Sequence, residues 1–242
     1  VEKTSPLLKL DFCSHDAARY AVTHWHYSRQ LPAGKLVKIG VWEDGAFSGC
    51  VIYSYGANRN LAKSLSLKQT EVCELTRVAL NKGHLTPVSR ILAISLKMVS
   101  SQSPGVRVVV SYADSDRGHR GVIYQASNWL YVGHVQDGEQ CAFLVHGKKM
   151  HPRSVGARGW VQSLKWLREH IDPQASQVRT LGKEKYFWLF DESLRGRFEK
   201  SIQPYPKPKA TRATSETGDT SRLQREKGGS TPTVALKLPL NS

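Results

Sequence analysis

Residues 106–133, VRVVVSYADSDRGHRGVIYQASNWLYVG, contain a carboxylate and a phenol in settings suited to proton transfer. Asp114 follows the apolar run Val106–Val110. Side chains just past strand ends in α/β sheets line the ligand crevice. Asp114 is therefore a candidate base or metal ligand. Its alternative role is to cap the next helix, for which Asp116 is an equal candidate. A second dense run, THWHYSR at 23–29, places His26 and Tyr27 at a helix exit where the chain turns. His24 and His26 are two apart and face different ways on a helix, so by themselves they make a poor metal pair. Asp114, His26 and a tyrosine would together suit iron or another divalent transition metal. Read locally, Trp25 and Tyr27 pack and the histidines face solvent. Arg77 stands among Leu75, Val78 and Leu80. A guanidinium in a central strand needs an anion, either Glu74 or the phosphate or carboxyl group of a donor.

These groups need a sheet to carry them. Val106–Val110 reads as a strand buried on both faces, and Tyr124 falls on the short helix that follows. Strands are expected at 7–12, 36–43, 46–55, 71–80, 106–113, 130–136, 140–146 and 185–190. Asp44-Gly45 marks a hairpin. Ser14 is a candidate N-cap for a helix reaching His26. Thr86 as N-cap and Pro87 at the first helical position open another, which Pro104-Gly105 ends. A third helix is expected over 158–170. This order predicts an α/β sandwich of three layers with a central mixed sheet.

The chain of 242 residues carries a net charge of +15. Residues 1–200 are expected to form one domain, and they hold +11 of that charge. Such a body points to a polyanionic partner, nucleic acid before anionic membrane. Residues 201–242 are rich in Pro, Ser, Thr, Gly and Lys and read as a disordered basic tail. No apolar run approaches the roughly 18 residues needed to span a bilayer, and no signal-peptide pattern opens the chain. Cys13, Cys50, Cys73 and Cys141 form no C-x-x-C pair, so buried reduced thiols are expected.

Strand, short helix and returning strand, with a tyrosine one turn before the helix ends, resemble the C-terminal half of GNAT acyltransferases. Tyr124 and Trp129 keep the tyrosine-to-aromatic spacing of the pattern Y-x-x-x-G-F, with Asn128 and Trp129 in place of Gly-Phe. That resemblance implies that Tyr124 protonates the leaving group, and the element order matches over about residues 7–146. In GNAT enzymes the turn after the Arg77 strand carries R/Q-x-x-G-x-G/A, which cradles the CoA pyrophosphate. Here it is NKGHLTPVSR: Gly83 stands alone and Pro87 removes a donor, which counts against ordinary acetyl-CoA binding. The helix start, with Lys82 and Arg90 near it, can still attract phosphate.

WHYSRQLPAGK, ELTRVAL, SYAD and YQASNWLYVG, in this order over about residues 18–135, are together similar to the Mom family of Mu-like phages. The resemblance implies a GNAT-like enzyme, associated with iron, that places a carbamoylmethyl group on N6 of adenine and so protects phage DNA from host restriction. It implies functional positions at His26, Tyr27, Arg77, Asp114 and Tyr124, with Ser28 and Arg29 of lower weight. It also implies double-stranded DNA as substrate in the bacterial host cytoplasm. The adenine would be flipped into a pocket and stacked on Tyr27, Trp25 or Tyr55. The donor is either acetyl-CoA or a glycine-derived group such as aminoacyl-tRNA, with tRNA as a second partner. Two rivals stand beside it: a conventional N-acetyltransferase acting on a protein or small amine, and a non-catalytic basic DNA-binding protein with a degenerate GNAT fold.

Overall fold

The computed structural model describes residues 5–56, 58, 60–135 and 141–207. β1 (Leu8–Phe12) pairs antiparallel with β2 (Leu36–Glu43), and β2 with β3 (Ala46–Ser54). Between β2 and β3, Asp44 and Gly45 take φ of +50° and +80°. This is the left-handed pair that a two-residue hairpin demands. β3 continues antiparallel to β4 (Val72–Leu80), and β4 lies parallel to β5 (Val108–Asp114). A parallel neighbour needs a crossover, supplied by α3 (Val88–Gln102). The last strand, β10 (Lys183–Leu189), inserts between β5 and β6 (Leu130–Val135) and pairs antiparallel with both. The sheet order is therefore β1-β2-β3-β4-β5-β10-β6.

Helices cover both faces. On one, Ile91, Leu92, Leu96 and Val99 of α3 pack on Ile39, Val41, Val51 and Leu75. On the other, α1 (His15–Trp25) sets Ala18, Ala21 and Val22 against Cys50, Ile52 and Ala79. Farther along that face, α2 (Leu61–Ser64) and α7 (Arg195–Phe198) bury Leu61 and Phe198 with Val108, Val110 and Phe187. Ser14 caps α1, its Oγ accepting from Ala17 N at 3.1 Å. The three-layer α/β sandwich expected from the sequence is thus observed.

Three expectations need correction. Residues 141–145 do not extend the main sheet. They form β7 (Cys141–Val145), which pairs with β8 (Lys148–Met150) and β9 (Ser176–Arg179) in a separate three-stranded sheet. α5 (Pro152–Gly156) and α6 (Leu164–His170) close its core of Phe143, Val145, Val155 and Leu167. β10 occupies the slot beside β5 because its alternating residues feed both cores, Tyr186 one and Phe187 the other. The helix expected over 158–170 shortens to α6, since Gly159 sits at φ +74° and Ser163 caps the later start. The cap of α3 is Pro87, with extended ψ of 132°, not Thr86.

Past residue 200 the chain stays against the sheet. Gln203 N donates to Tyr131 O at 2.9 Å, and the Tyr205 hydroxyl to Trp129 O at 2.8 Å. Residues 208–242 of the expected tail lie outside the described residues. Cys50 and Cys73 are buried unpaired thiols, and Cys13 is unpaired and partly buried. Among the described residues no helix is long and apolar enough to cross a membrane.

Candidate active site

β4 and β5 pair only from Val72↔Val108 to Leu75↔Ser111, although β4 runs on to Leu80 and β5 to Asp114. Beyond that point the strands part and a cleft of about 540 Å³ opens between them. Side chains serve two carbonyls at the parting. Ser111 Oγ lies 2.9 Å from Leu75 O, and Arg77 Nη1 donates to Thr76 O at 2.7 Å. Arg77 Nε also donates to Gln30 O at 3.2 Å, tying the loop after α1 to β4. Arg77 makes no ion pair with Glu74; carbonyls hold its head, and its charge faces the cleft.

Tyr124 sits on α4 (Val122–Gln125) and enters the cleft from the α3 side. It is buried, with its hydroxyl oxygen 2.8 Å from Ser111 Oγ. Burial pushes its pKa up to about 12, so at neutral pH it is a protonated phenol and a donor. α4 begins at Gly121, with φ +73°, where a Cβ would fall 2.3 Å from the Tyr186 ring. Only glycine brings the helix start this close to β10.

His26 and Tyr27 arrive from the other side, at the exit of α1. Ser28 N donates to His26 Nδ1 at 3.1 Å. Nδ1 is therefore an acceptor, and in the neutral ring the proton sits on Nε2, a tautomer assigned from this bond. Burial, with help from Arg77 and His119, lowers the His26 pKa to about 4. Tyr27 is 46% exposed, with its ring 4.3 Å from that of His26. Burial of its phenol, then the Asp114 charge, raises the Tyr27 pKa. Asp114 ends β5 and does cap the next turn, accepting from Asp116 N at 3.0 Å. It also lines an adjoining cavity of about 480 Å³. Both roles weighed for it from the sequence are thus compatible with its position.

The sequence profile of the Mom protein family matches residues 8–207. The chain belongs to the Mom protein family. Methylcarbamoylase mom of Escherichia phage Mu is 26% identical over 208 residues, 83% of this chain and 84% of that protein. Among solved structures, the chain is similar to a putative acetyltransferase of Acinetobacter baylyi ADP1, at 14% identity and a TM-score of 0.45, covering 79% of this chain and 96% of that one. It is also similar to aminoglycoside acetyltransferase AAC(6')-Ib in complex with coenzyme A and kanamycin, at 11% identity and a TM-score of 0.44, covering 81% and 99%.

The cleft of this Mom-family chain brings together four of the residues singled out in the sequence: His26, Tyr27, Arg77 and Tyr124, with Asp114 beside them. Trp25 lines it too, whereas Tyr55 lines a separate cavity with Lys35. Ser28 positions His26, and Arg29, exposed at φ +51°, turns the loop. Arg90 does not join the cleft. Just ahead of the helix start where an anion was expected, buried Glu43 accepts from Leu85 N at 2.9 Å and from Thr86 N at 2.6 Å. The donor set expected for iron, His26 with Asp114, does not form a ready centre. His26 presents an N–H to the cleft, and the described residues hold no cluster of three or more His, Cys, Asp or Glu suited to a metal ion.

Two residues around Tyr27, one lining the cleft and one lining the adjoining cavity, escaped the sequence reading. His119 packs edge-on to Tyr27 with ring centroids 5.4 Å apart, and the Arg117 guanidinium lies 5.4 Å over the same ring. The available signal was the run RGHRG directly after a buried strand. Its glycines, at φ +72° and +73°, fold the loop back over the cleft.

Proposed function

We propose that the protein is a transferase that places a carbamoylmethyl group on N6 of adenine in double-stranded DNA, shielding phage DNA from host restriction. The observation that carries this reading is the cleft at the β4–β5 parting, lined by a protonated Tyr124, neutral His26, Tyr27 tilted against it and the Arg77 charge. Family membership and the likeness to methylcarbamoylase mom support it.

Adenine N6 is inside the duplex, so the base must leave the stack, at a cost of a few kcal/mol. Half-exposed Tyr27, with Arg117 over its ring, offers a stacking platform. His26 Nε2–H donates to a base or donor acceptor atom. As N6 bonds to the donor carbon it must shed a proton, and Asp114 is the nearby carboxylate to take it. As the bond to the leaving group breaks, Tyr124 supplies that group's proton, and Ser111 can then donate to the phenolate. Arg77 holds the donor's phosphate or carboxyl group.

A glycine-derived donor such as aminoacyl-tRNA contains the carbon and nitrogen atoms of the added group, whereas acetyl-CoA lacks the nitrogen. Attack of N6 on a glycyl carbonyl releases the tRNA hydroxyl and gives the isomeric N6-glycyl amide, which becomes the carbamoylmethyl product when its two nitrogens exchange places on the two-carbon unit. Glu43 favours the former. Its carboxylate occupies the N–H groups ahead of α3, so a pyrophosphate there would meet a negative charge. The test is mass spectrometry of nucleosides from DNA of cells expressing the chain. A deoxyadenosine heavier by the carbamoylmethyl increment is expected. Only normal and methylated nucleosides, with the protein shown to be folded, would refute the reaction.

A further inference from the structure

Between β6 and β10 the chain builds the small sheet of β7, β8 and β9, absent from the main sandwich. Residues 141–182 carry seven Lys/Arg against two Asp/Glu. Part of that excess converges on the 480 Å³ cavity beside the active cleft, where Lys148, Lys149 and Lys183 meet Arg117. Two carboxylates, Asp114 and Asp116, share the lining. Asp116 is committed internally: its Oδ1 accepts from Leu181 N at 3.0 Å and pairs with Lys149 at 2.8 Å. These bonds fasten the small sheet to the turn after β5. Lys148 is exposed, and among the described residues neither it nor Arg117 makes an ion pair.

Arg117 belongs to both spaces. It lines this groove while its guanidinium covers Tyr27 at the mouth of the cleft. A chain whose base lies on Tyr27 would thus have its flanking backbone directed along Arg117 toward Lys148. We propose that the groove between β8 and the turn after β5 is a phosphodiester-binding site, taking the backbone of the DNA strand whose base enters the cleft. This rests on the DNA-modifying reading above. Phosphate contacts of this kind position a nucleic acid without reading its sequence. Because the small sheet is bonded to the loop bearing Arg117 and His119, DNA held on it is placed in register with the cleft.

Lys148 is the residue to test, since it is exposed and outside the proposed chemistry. Binding of the full chain to duplex DNA is measured by fluorescence anisotropy across a salt titration. Lys148→Ala is compared with Lys165→Ala, an exposed change on α6 away from the groove. One lost phosphate contact makes the log–log salt slope shallower by about 0.9. That change is expected for Lys148→Ala, not for Lys165→Ala, and Lys148→Arg should restore the slope. Equal slopes for Lys148→Ala and wild type, equal losses in both alanine variants, or a loss seen with transfer RNA alone would overturn the proposal. Nucleoside analysis separates it from the reaction. Modified DNA with an unchanged Lys148→Ala slope refutes only the groove; unmodified DNA with the expected slope change refutes only the chemistry.

Discussion

The Ser111 hydroxyl lies 2.8 Å from the phenol oxygen of Tyr124, and 2.9 Å from the Leu75 carbonyl on its other side. It has one proton for two oxygens. While Tyr124 is a phenol, it can donate to Ser111, which donates to Leu75 O. Once Tyr124 has lost its proton, the hydroxyl can turn to the phenolate.

Tyr124→Phe is therefore expected to lower modification by about 10²-fold or more, the scale of a lost general acid. Stability should fall by no more than about 1 kcal/mol, the net worth of one hydrogen bond. Ser111→Ala should keep some turnover but lose more than Tyr124→Phe does in stability, because Leu75 O is left without its donor. Nucleoside mass spectrometry and denaturant unfolding read the two effects separately.

His26 gives a pH signature. Its pKa is lowered from 6.5 to about 4 in the fold. Between those values the unfolded chain binds a proton that the folded chain does not. The stability gained by holding a neutral ring is complete above pH 6.5 and is lost as pH falls toward 4. Unfolding midpoints of wild type and His26→Gln, taken from pH 7 to 4, should converge as the pH drops. Parallel curves would refute a neutral, acceptor-bound His26.

Glu43 should prove structural. Burial raises its pKa, but hydrogen bonds from Thr86 and Leu85 outweigh this and leave it lowered. Its contribution is present above the ordinary glutamate range and lost as pH falls below it. Glu43→Ala strands the buried Thr86 N–H and takes the partner from Leu85 N–H, and should cost about 1–3 kcal/mol. Calorimetry at neutral pH checks the magnitude.

Gly121→Ala should be among the more damaging single-methyl changes. The residue takes φ +73°, and the added carbon would meet the Tyr186 ring at 2.3 Å. A strained left-handed residue alone costs about 1–3 kcal/mol, and displacement of α4 moves Tyr124 with it. Loss of thermal stability together with modification is expected. A wild-type melting curve would refute the close packing.

Much of the sandwich was legible because its signals are local. Asp44-Gly45 demands a hairpin, Ser14 caps α1, and Val108–Val110 is the buried start of β5. The position of β10 was not legible, since which strand takes the free edge of β5 is decided by burial on two faces far along the chain. The site divided in the same way. Tyr124, Asp114 and Arg77 stood out by their place next to strands. His119 and Arg117 did not, because their meeting with Tyr27 depends on two left-handed glycines. The carboxylate ahead of α3 was hidden for the same reason: Glu43 reaches Leu85 and Thr86 from a different hairpin.

The parting of β4 and β5 also sets a limit on how the protein can change. Where the sheet stops bonding to itself, Ser111 still bridges β5 to the Leu75 carbonyl of β4, and Arg77, which lines the cleft, serves the Thr76 carbonyl of its own strand. Architecture and chemistry thus share the same atoms. Amide exchange around Thr76 and Tyr112 should report on the cleft as directly as turnover does. A variant that re-zipped the strands would gain a more regular sheet and lose the opening through which Tyr124 faces His26.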